Sequence, residues 1–229
     1  MSYGYGYGYA PVAAQASVGD RVAFLRKVYG LFFVSLLLGG VGALAGLQPQ
    51  VFSVTAAHPM ACMIFELGLV IACSALRRRR GLNLALLFAF TLVSGVVMTP
   101  YLAVMAMRAG TASVIGEAFA TTCMVFGGLS LYALISKRDF SWLRGFAVTA
   151  LFALIGVGLL DAFFFKSDAV EMAMSAAGVM VFSCWILFDT SRLLRSTPVD
   201  DAVGAALSLY LDFINLFLDI LRLLSGRRR

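Results

Sequence analysis

Long apolar runs separated by short polar segments dominate the chain, and seven of them approach the length of a membrane-spanning helix, about 20 residues. They cover residues 28–47, 59–76, 82–107, 111–136, 145–165, 169–188 and 203–224. Each run is continuously apolar and about twice as long as a membrane barrel strand, without strict alternation of polar and apolar positions. The pattern therefore predicts an all-α integral membrane fold, a bundle of seven transmembrane helices.

The composition agrees with a membrane protein. Of 229 residues, 61% are hydrophobic and 13% are charged, and the mean hydropathy is +0.92. Soluble domains contain about 45–50% apolar residues, so an ordinary soluble protein is excluded. We expect one membrane domain over residues 21–229, embedded in the lipid bilayer.

Residues 1–20 differ from the rest of the chain, because Tyr and Gly alternate without charge over residues 2–9. The segment lacks the basic start and apolar core of a secretory signal. We interpret it as a disordered Tyr/Gly-rich N-terminal tail, with an aromatic partner-binding motif as the alternative.

Basic residues flank the runs mainly on one side of the membrane, which favours a cytoplasmic N-terminus. They are Arg21, Arg26 and Lys27, residues 77–80, Lys137, Arg138 and Arg144, and Arg192 and Arg195, against Arg108 and Lys166 on the opposite side. Seven crossings would leave the C-terminus outside, whereas the arginines at 227–229 favour the inside. The last run is either a seventh crossing, whose orientation is set by the basic residues of the earlier loops, or a re-entrant or centrally buried helix.

Polar residues in the last run form a single helical face. They step by three or four residues and are Ser208, Asp212, Asn215, Asp219 and Arg222. The other faces are apolar, so this polar stripe needs protein or water beside it. We therefore predict that the last helix lies at the centre of the bundle.

Two aspartates are candidate functional residues. An acidic residue within a membrane helix costs about 2.5–3.5 kcal/mol on insertion scales and often serves a function. Asp189 ends the sixth run and Asp212 lies in the seventh, so the two could meet. Two close carboxylates in a low dielectric cannot both ionise cheaply and would share a proton. Such a pair can sense pH and, once deprotonated, suits Ca²⁺.

Other charged residues are weaker candidates. Glu66 lies within the second run, and Arg77 follows eleven residues later on the same face, where it could latch onto Asp189 or Asp212. Position alone favours Arg77 as an ordinary anchor of positive charge beside residues 78–80. Glu117 and Asp161 lie near run ends and have an interfacial or structural interpretation.

No pattern in the sequence indicates an enzyme. The phosphate-binding loop, the Gly-x-Ser-x-Gly turn and the His-Glu-x-x-His pair are all missing. The four cysteines lie in apolar runs without the spacing of a zinc site, and the single histidine, His58, precedes a proline at a helix start. We expect no catalysis, no cofactor and no nucleic-acid partner.

Several motifs resemble the Bax inhibitor-1 family, the transmembrane Bax-inhibitor-motif proteins, and the similarity extends over about residues 21–226. The main one is Leu-Ser-Leu-Tyr-Leu-Asp-Phe-Ile-Asn-Leu-Phe at 207–217. Further motifs cover residues 26–30, 90–100, 137–141 and 186–190. Phe188 stands where many members have tyrosine.

The resemblance implies a seven-helix fold whose last helix is surrounded by the other six, and a pH-sensitive Ca²⁺ leak that moves Ca²⁺ and responds to H⁺. It implies that Asp189 and Asp212 form the proton sensor and contact Ca²⁺, that Arg77 latches the closed state, and that Glu66 lies along the ion path. Asn215, Asp219 and Glu117 are further candidates.

Two other functions stay open: an H⁺/Ca²⁺ exchanger, and a non-transporting membrane stress regulator that binds membrane protein partners. The similarity to bacterial members favours a bacterial cytoplasmic membrane.

Overall fold

The computed structural model describes residues 11–77, 79, 81–136, 138–165 and 167–226, and these residues form a bundle of α-helices. The helices are α1 (Val18–Gly46), α2 (Pro49–Ala57), α3 (Pro59–Ala75), α4 (Leu82–Ala109), α5 (Ser113–Ser136), α6 (Leu143–Leu160), α7 (Asp168–Arg195) and α8 (Ala202–Gly226). A π-helical turn, Asp161–Phe165, follows α6. Predictions for the Tyr/Gly repeat, for Arg78, Arg80, Lys137 and Lys166 and for residues 227–229 lie outside the described residues.

Six of these helices are long and apolar enough to cross a membrane, and α2 and α3 together make a seventh candidate. The α2–α3 pair bends by 93°. His58 stands at the break with φ −127° and ψ 52°, because the residue before a proline is pushed out of the helical conformation. The predicted all-helical membrane fold is confirmed, with one addition, since α2 lies in a segment that the apolar pattern left as a loop.

The first helix begins earlier than predicted. The α1 helix starts at Val18, ten residues before the apolar run, and the Ser17 hydroxyl accepts a hydrogen bond from the Asp20 N–H at 3.1 Å. Before it, the Ala13 N–H donates to the Thr197 carbonyl at 3.0 Å, in the loop between α7 and α8. Residues 11–20 therefore include a contact with the α7–α8 loop and the first turn of α1, while the disorder of the N-terminal tail stays a prediction.

Glycines let α1 and α4 pack backbone to backbone. A methyl group added at Gly42 would overlap the Leu92 carbonyl, and one at Gly95 would overlap the Gly39 carbonyl. The Thr99 hydroxyl donates to the Ala43 carbonyl at 3.1 Å, a contact that small residues permit between membrane helices. At Gly127 and Gly128 of α5, by contrast, an added methyl group would meet nothing within 4 Å.

The last helix is the most buried one. In the most apolar stretch of α8, 61% of residues are buried, against 11–39% in the other five single spanning helices. Phe213 packs on Phe32 of α1 and Phe126 of α5, and Tyr210 packs on Phe90 of α4. The central position predicted for the last helix is confirmed. Its main neighbours are α1, α4, α5 and α7. The α3 helix packs mainly on α4, and the α6 helix packs mainly on α7.

Pro100 lies inside α4, which continues through it without a break in the helix.

The two ends of the bundle are named by the segments that they carry. One carries the loop between α7 and α8 and is called the α7–α8 loop end. The opposite end carries the α2–α3 bend and the C-terminus of α8.

Candidate functional site

The polar stripe of α8 lies against α7. At the α7–α8 loop end, Arg192 Nη2 lies 3.5 Å from Ser208 Oγ. At the opposite end, the Asp219 carboxylate rests on Gly178 and fills the space that a Cβ would need. We call this row of contacts the α7–α8 seam. It comprises Glu171, Ser175, Gly178, Asp189 and Arg192 of α7 with Ser208, Asp212, Asn215, Asp219 and Arg222 of α8.

The two predicted aspartates meet within this seam. The side chains of Asp189 and Asp212 are within hydrogen-bonding reach of each other, and each residue is 6% exposed. A hydrogen bond between two carboxyl groups needs a proton on one of them. Among the described residues, Asp212 Oδ2 has no hydrogen-bond partner, and Asp189 Oδ1 has only an ion pair. The aspartate pair is thus buried, able to share a proton, and incompletely hydrogen-bonded.

Arg192 is the cation beside the aspartate pair. Its Nη2 lies 3.4 Å from Asp189 Oδ1, one helical turn away, and its guanidinium stands 5.7 Å from the centre of the Phe188 ring. From its position in the sequence, Arg192 was expected only to be a basic flank of the sixth run. Its spacing of three residues from Asp189 is the signal that could have marked it.

Arg77, the predicted latch, contacts a different acid. Its Nη1 lies 3.4 Å from Asp201 Oδ2, and 49% of its side chain is exposed. The structure therefore does not bring Arg77 to Asp189 or Asp212, and its role as a latch stays a prediction. Asp201, which sequence reasoning missed, directly precedes α8 and accepts the Gly204 N–H at 3.2 Å. Burial raises the pKa of Asp201, and the Arg77 charge and the Gly204 N–H partly offset that effect.

Glu66 lies near α8 but apart from the aspartate pair. It is half-buried on α3 and close enough to Tyr210 for an electrostatic interaction. Tyr210 is fully buried, and its hydroxyl donates to the Thr91 carbonyl at 3.4 Å. Glu66 thus approaches α8 at Tyr210, which lies two residues before Asp212 in the chain.

The remaining candidates occupy separate places. Asn215 lies in the middle of the seam, and its Nδ2 donates to the Leu211 carbonyl at 2.8 Å. Glu117 is exposed on α5, where Oε1 accepts the Ser113 hydroxyl at 3.1 Å. Asp161 Oδ1 accepts the Ser167 N–H at 3.0 Å and ties the π-helical turn to the start of α7. Glu117 and Asp161 are therefore apart from the seam contacts.

A second cluster closes the seam at the opposite end. Glu171 lies between two arginines, 3.0 Å from Arg108 Nη1 and 3.4 Å from Arg222 Nε. Arg222 Nε also donates to the Tyr101 hydroxyl at 2.8 Å. We call this cluster the distal arginine network, which consists of Tyr101, Arg108, Glu171, Ser175, Asp219 and Arg222. Asp219 and Arg222 belong to the polar stripe predicted from the sequence, whereas their partners carry no such pattern.

The aspartate pair was also predicted to contact Ca²⁺. In the part of the chain that the structure describes, no three His, Cys, Asp or Glu side chains form a metal-binding group. Ca²⁺ takes about six to eight oxygen ligands, more than the four oxygens of two aspartates. The pair therefore suits transient contact with a partly hydrated ion, not a closed binding cage.

Comparison with known proteins identifies the chain. The family described as inhibitor of apoptosis-promoting Bax1 matches residues 21–229. This chain belongs to the Bax inhibitor-1 family. The match leaves out the Tyr/Gly-rich residues at the start, as the sequence motifs did.

Members of the Bax inhibitor-1 family from distant sources resemble this chain over most of its length. An uncharacterised Campylobacter jejuni protein is 38% identical over 209 residues, which cover 89% of this chain and 88% of the relative. Mouse protein lifeguard 4 is 36% identical, covering 93% and 89%. A vaccinia virus protein named Golgi anti-apoptotic protein is also 36% identical, with the same shares. The bacterial relatives fit a bacterial membrane, and the apolar helices imply contact with lipid.

Proposed function

We propose that this chain is a pH-sensitive Ca²⁺ leak channel whose proton sensor is the aspartate pair. The observation that carries the proposal is the hydrogen-bonding contact between Asp189 and Asp212, buried between two helices beside Arg192. Buried carboxyl groups are costly to retain in a membrane helix, so a contact between two of them points to function.

Proton binding would control the contact as follows. With one proton shared, the pair keeps one negative charge, and that charge attracts Arg192 at 3.4 Å. A second proton neutralises the pair and removes this attraction, so Arg192 and the end of α7 are released. Acidification should therefore open the seam and increase Ca²⁺ flux.

The ion path would follow the α7–α8 seam. Its side-chain oxygens come from Ser208, Asp212, Asn215 and Asp219, and oxygen is the ligand that Ca²⁺ prefers. The negative charge of Glu66 beside Tyr210 adds cation attraction at the α3 side of α8. Arg77 would act at the α7–α8 loop end, where Asp201 holds it in the closed form.

The membrane would be the bacterial cytoplasmic membrane with the N-terminus in the cytoplasm. The positive flanks support this orientation, because Arg21, Arg77, Arg138 and Arg192 all belong to segments at the α7–α8 loop end. The sensor would then face the cytoplasm.

Reconstitution into liposomes that contain a Ca²⁺ indicator tests the proposal. We expect passive Ca²⁺ flux that rises as the pH falls, and we expect the double change Asp189→Asn and Asp212→Asn to remove the pH response. Absence of flux at every pH would contradict the proposal. A pH gradient imposed without a Ca²⁺ gradient separates the exchanger, which would drive Ca²⁺ uphill, from a leak, which would not.

A second candidate function is a membrane stress regulator that binds protein partners. It is suggested by the names of relatives, which are lifeguard 4, Golgi anti-apoptotic protein and, at 33% identity, Bax inhibitor 1 of Schizosaccharomyces pombe. Partner capture that survives the double change Asp189→Asn and Asp212→Asn, without ion flux in the unchanged protein, would favour this function over the channel.

A further inference from the structure

Arg222 is held in place at the far end of the seam by groups from two other helices. Its Nε donates to the Tyr101 hydroxyl of α4 at 2.8 Å, and its Nη1 donates to the Ser175 hydroxyl of α7 at 3.3 Å. Glu171 Oε1 lies 3.4 Å away and Asp219 Oδ1 lies 3.8 Å away. The guanidinium also stands 5.6 Å from the centre of the Tyr101 ring. A planar guanidinium with this many partners is fixed in position.

Arg222 lies on the same face of α8 as the aspartate pair, ten residues beyond Asp212 and thus about 15 Å further along the helix. Asn215 and Asp219 lie between them on that face. The register of the seam contacts puts Asn215 opposite the α7 turn that contains Phe182 and Trp185. A cation that moved along the seam from the pair would pass Asn215 and Asp219 and then meet a fixed positive charge.

A cavity of about 440 Å³ lies beside the distal arginine network. Pro59 and Cys62 from the α2–α3 bend line it, together with Tyr101, Arg108 and Glu171 of that network. Two of the side chains that hold Arg222, Tyr101 and Glu171, therefore also line this cavity.

We propose that the distal arginine network is a second gate, in which Arg222 blocks the seam at the end opposite the aspartate pair. The inference rests on the proposed function in that it takes the seam as the ion path. The four charged side chains Arg108, Arg222, Glu171 and Asp219 balance one another. Removal of the Arg222 charge would leave a net negative site, which attracts divalent cations instead of repelling them.

The accessibility of a single cysteine at position 215 tests the gate without any need for ion flux. The four native cysteines are replaced by alanine, Asn215→Cys is added, and a membrane-impermeant thiol reagent is applied from each side of the membrane in turn. We expect Arg222→Gln to speed the reaction by about tenfold from the side of the α8 C-terminus, because hydrogen bonds to a charged group are lost. Arg144→Gln, which changes an exposed arginine at the start of α6, is the matched control.

Tyr101→Phe provides a milder second variant, since it keeps the Arg222 charge and removes only the hydroxyl that accepts from Nε. We expect a smaller increase in the same direction. Unchanged reactivity in both variants would overturn the gate and leave the network as a structural contact. If the unchanged protein passes no Ca²⁺ but Arg222→Gln still exposes position 215, the channel proposal fails while the barrier stands.

Discussion

Arg192 and Asp189 lie one turn apart on α7, with Nη2 of the arginine 3.4 Å from Oδ1 of the aspartate. This contact puts a permanent positive charge beside a buried carboxyl group that also reaches Asp212. An adjacent cation favours the charged form of a carboxyl group, so Arg192 should set the pH at which the aspartate pair takes up its second proton.

Arg192→Gln should therefore increase Ca²⁺ flux near neutral pH and weaken its rise on acidification, because the negatively charged pair no longer has a cation to attract. Arg77→Gln is the matched variant, since Arg77 lies at the same end of the bundle but pairs with Asp201. We expect a smaller change from it in liposome flux measured across pH. A larger change from Arg77→Gln than from Arg192→Gln would contradict the assignment.

The carboxyl group of Asp201 should titrate above the ordinary aspartate value of 3.8, since burial raises its pKa and Arg77 only partly offsets this. The Arg77 contact should then be lost as the pH falls through that raised pKa. Arg77→Gln should raise the pKa further, because it removes a cation that favours the carboxylate. NMR of protein with ¹³C-labelled aspartate in detergent measures both effects.

Asp139 is the internal control for that titration. It is exposed in the loop before α6, and the Ser141 N–H donates to its Oδ1 at 2.9 Å. This hydrogen bond lowers the pKa of Asp139 below its ordinary value, opposite to Asp201. Titration of Asp201 at or below the Asp139 midpoint would contradict the burial of the Asp201 carboxyl group.

The α1–α4 contact should depend on its glycines. Gly42→Ala or Gly95→Ala would drive a methyl group into a backbone carbonyl of the neighbouring helix. We expect a loss of about 1–3 kcal/mol of stability, as for other overpacked sites. Thermal unfolding in detergent measures the change. Gly128→Ala, where nothing lies within 4 Å, should be neutral or slightly stabilising, because alanine favours the helix.

Much of the fold follows from the sequence, because length and apolar character alone decide which segments cross a membrane. The start of α1 was missed because Asp20, Arg21 and Arg26 interrupt the apolar pattern, although Ser17 caps a helix there. The short helix α2 was missed because its nine residues, Pro49–Ala57, lie between two apolar runs and shortly before a proline, a position typical of a loop.

The candidate site was only partly predictable. The three- and four-residue spacing in α8 marks one face, and that face does meet α7. A linear pattern does not show which arginine contacts which acid. Arg77 was therefore expected at the aspartate pair, whereas the structure has Arg192 beside the pair and Arg77 beside Asp201. The partner of Arg222, Tyr101, lies 121 positions away in the chain, and no local signal connects them.

Gly178 should hold the distal arginine network together, since the Asp219 carboxylate occupies the space beside its Cα. Gly178→Ala should push this flexible carboxylate aside and weaken its contact with Arg222. In the position-215 cysteine assay we expect faster modification, by less than with Arg222→Gln. Gly156→Ala has open space around the added methyl group and serves as the control. Equal modification rates in the two glycine variants would show that Asp219 does not support the gate.

Ca²⁺ flux from liposomes across pH tests most directly whether the aspartate pair senses protons for a Ca²⁺ leak. The unchanged protein and Asp139→Asn, which alters an exposed aspartate near the same end, should both show flux that rises as the pH falls. The double change Asp189→Asn and Asp212→Asn should abolish that pH dependence, since neither amide takes up a proton in this range. A pH response in the double variant equal to that of the unchanged protein would contradict the account.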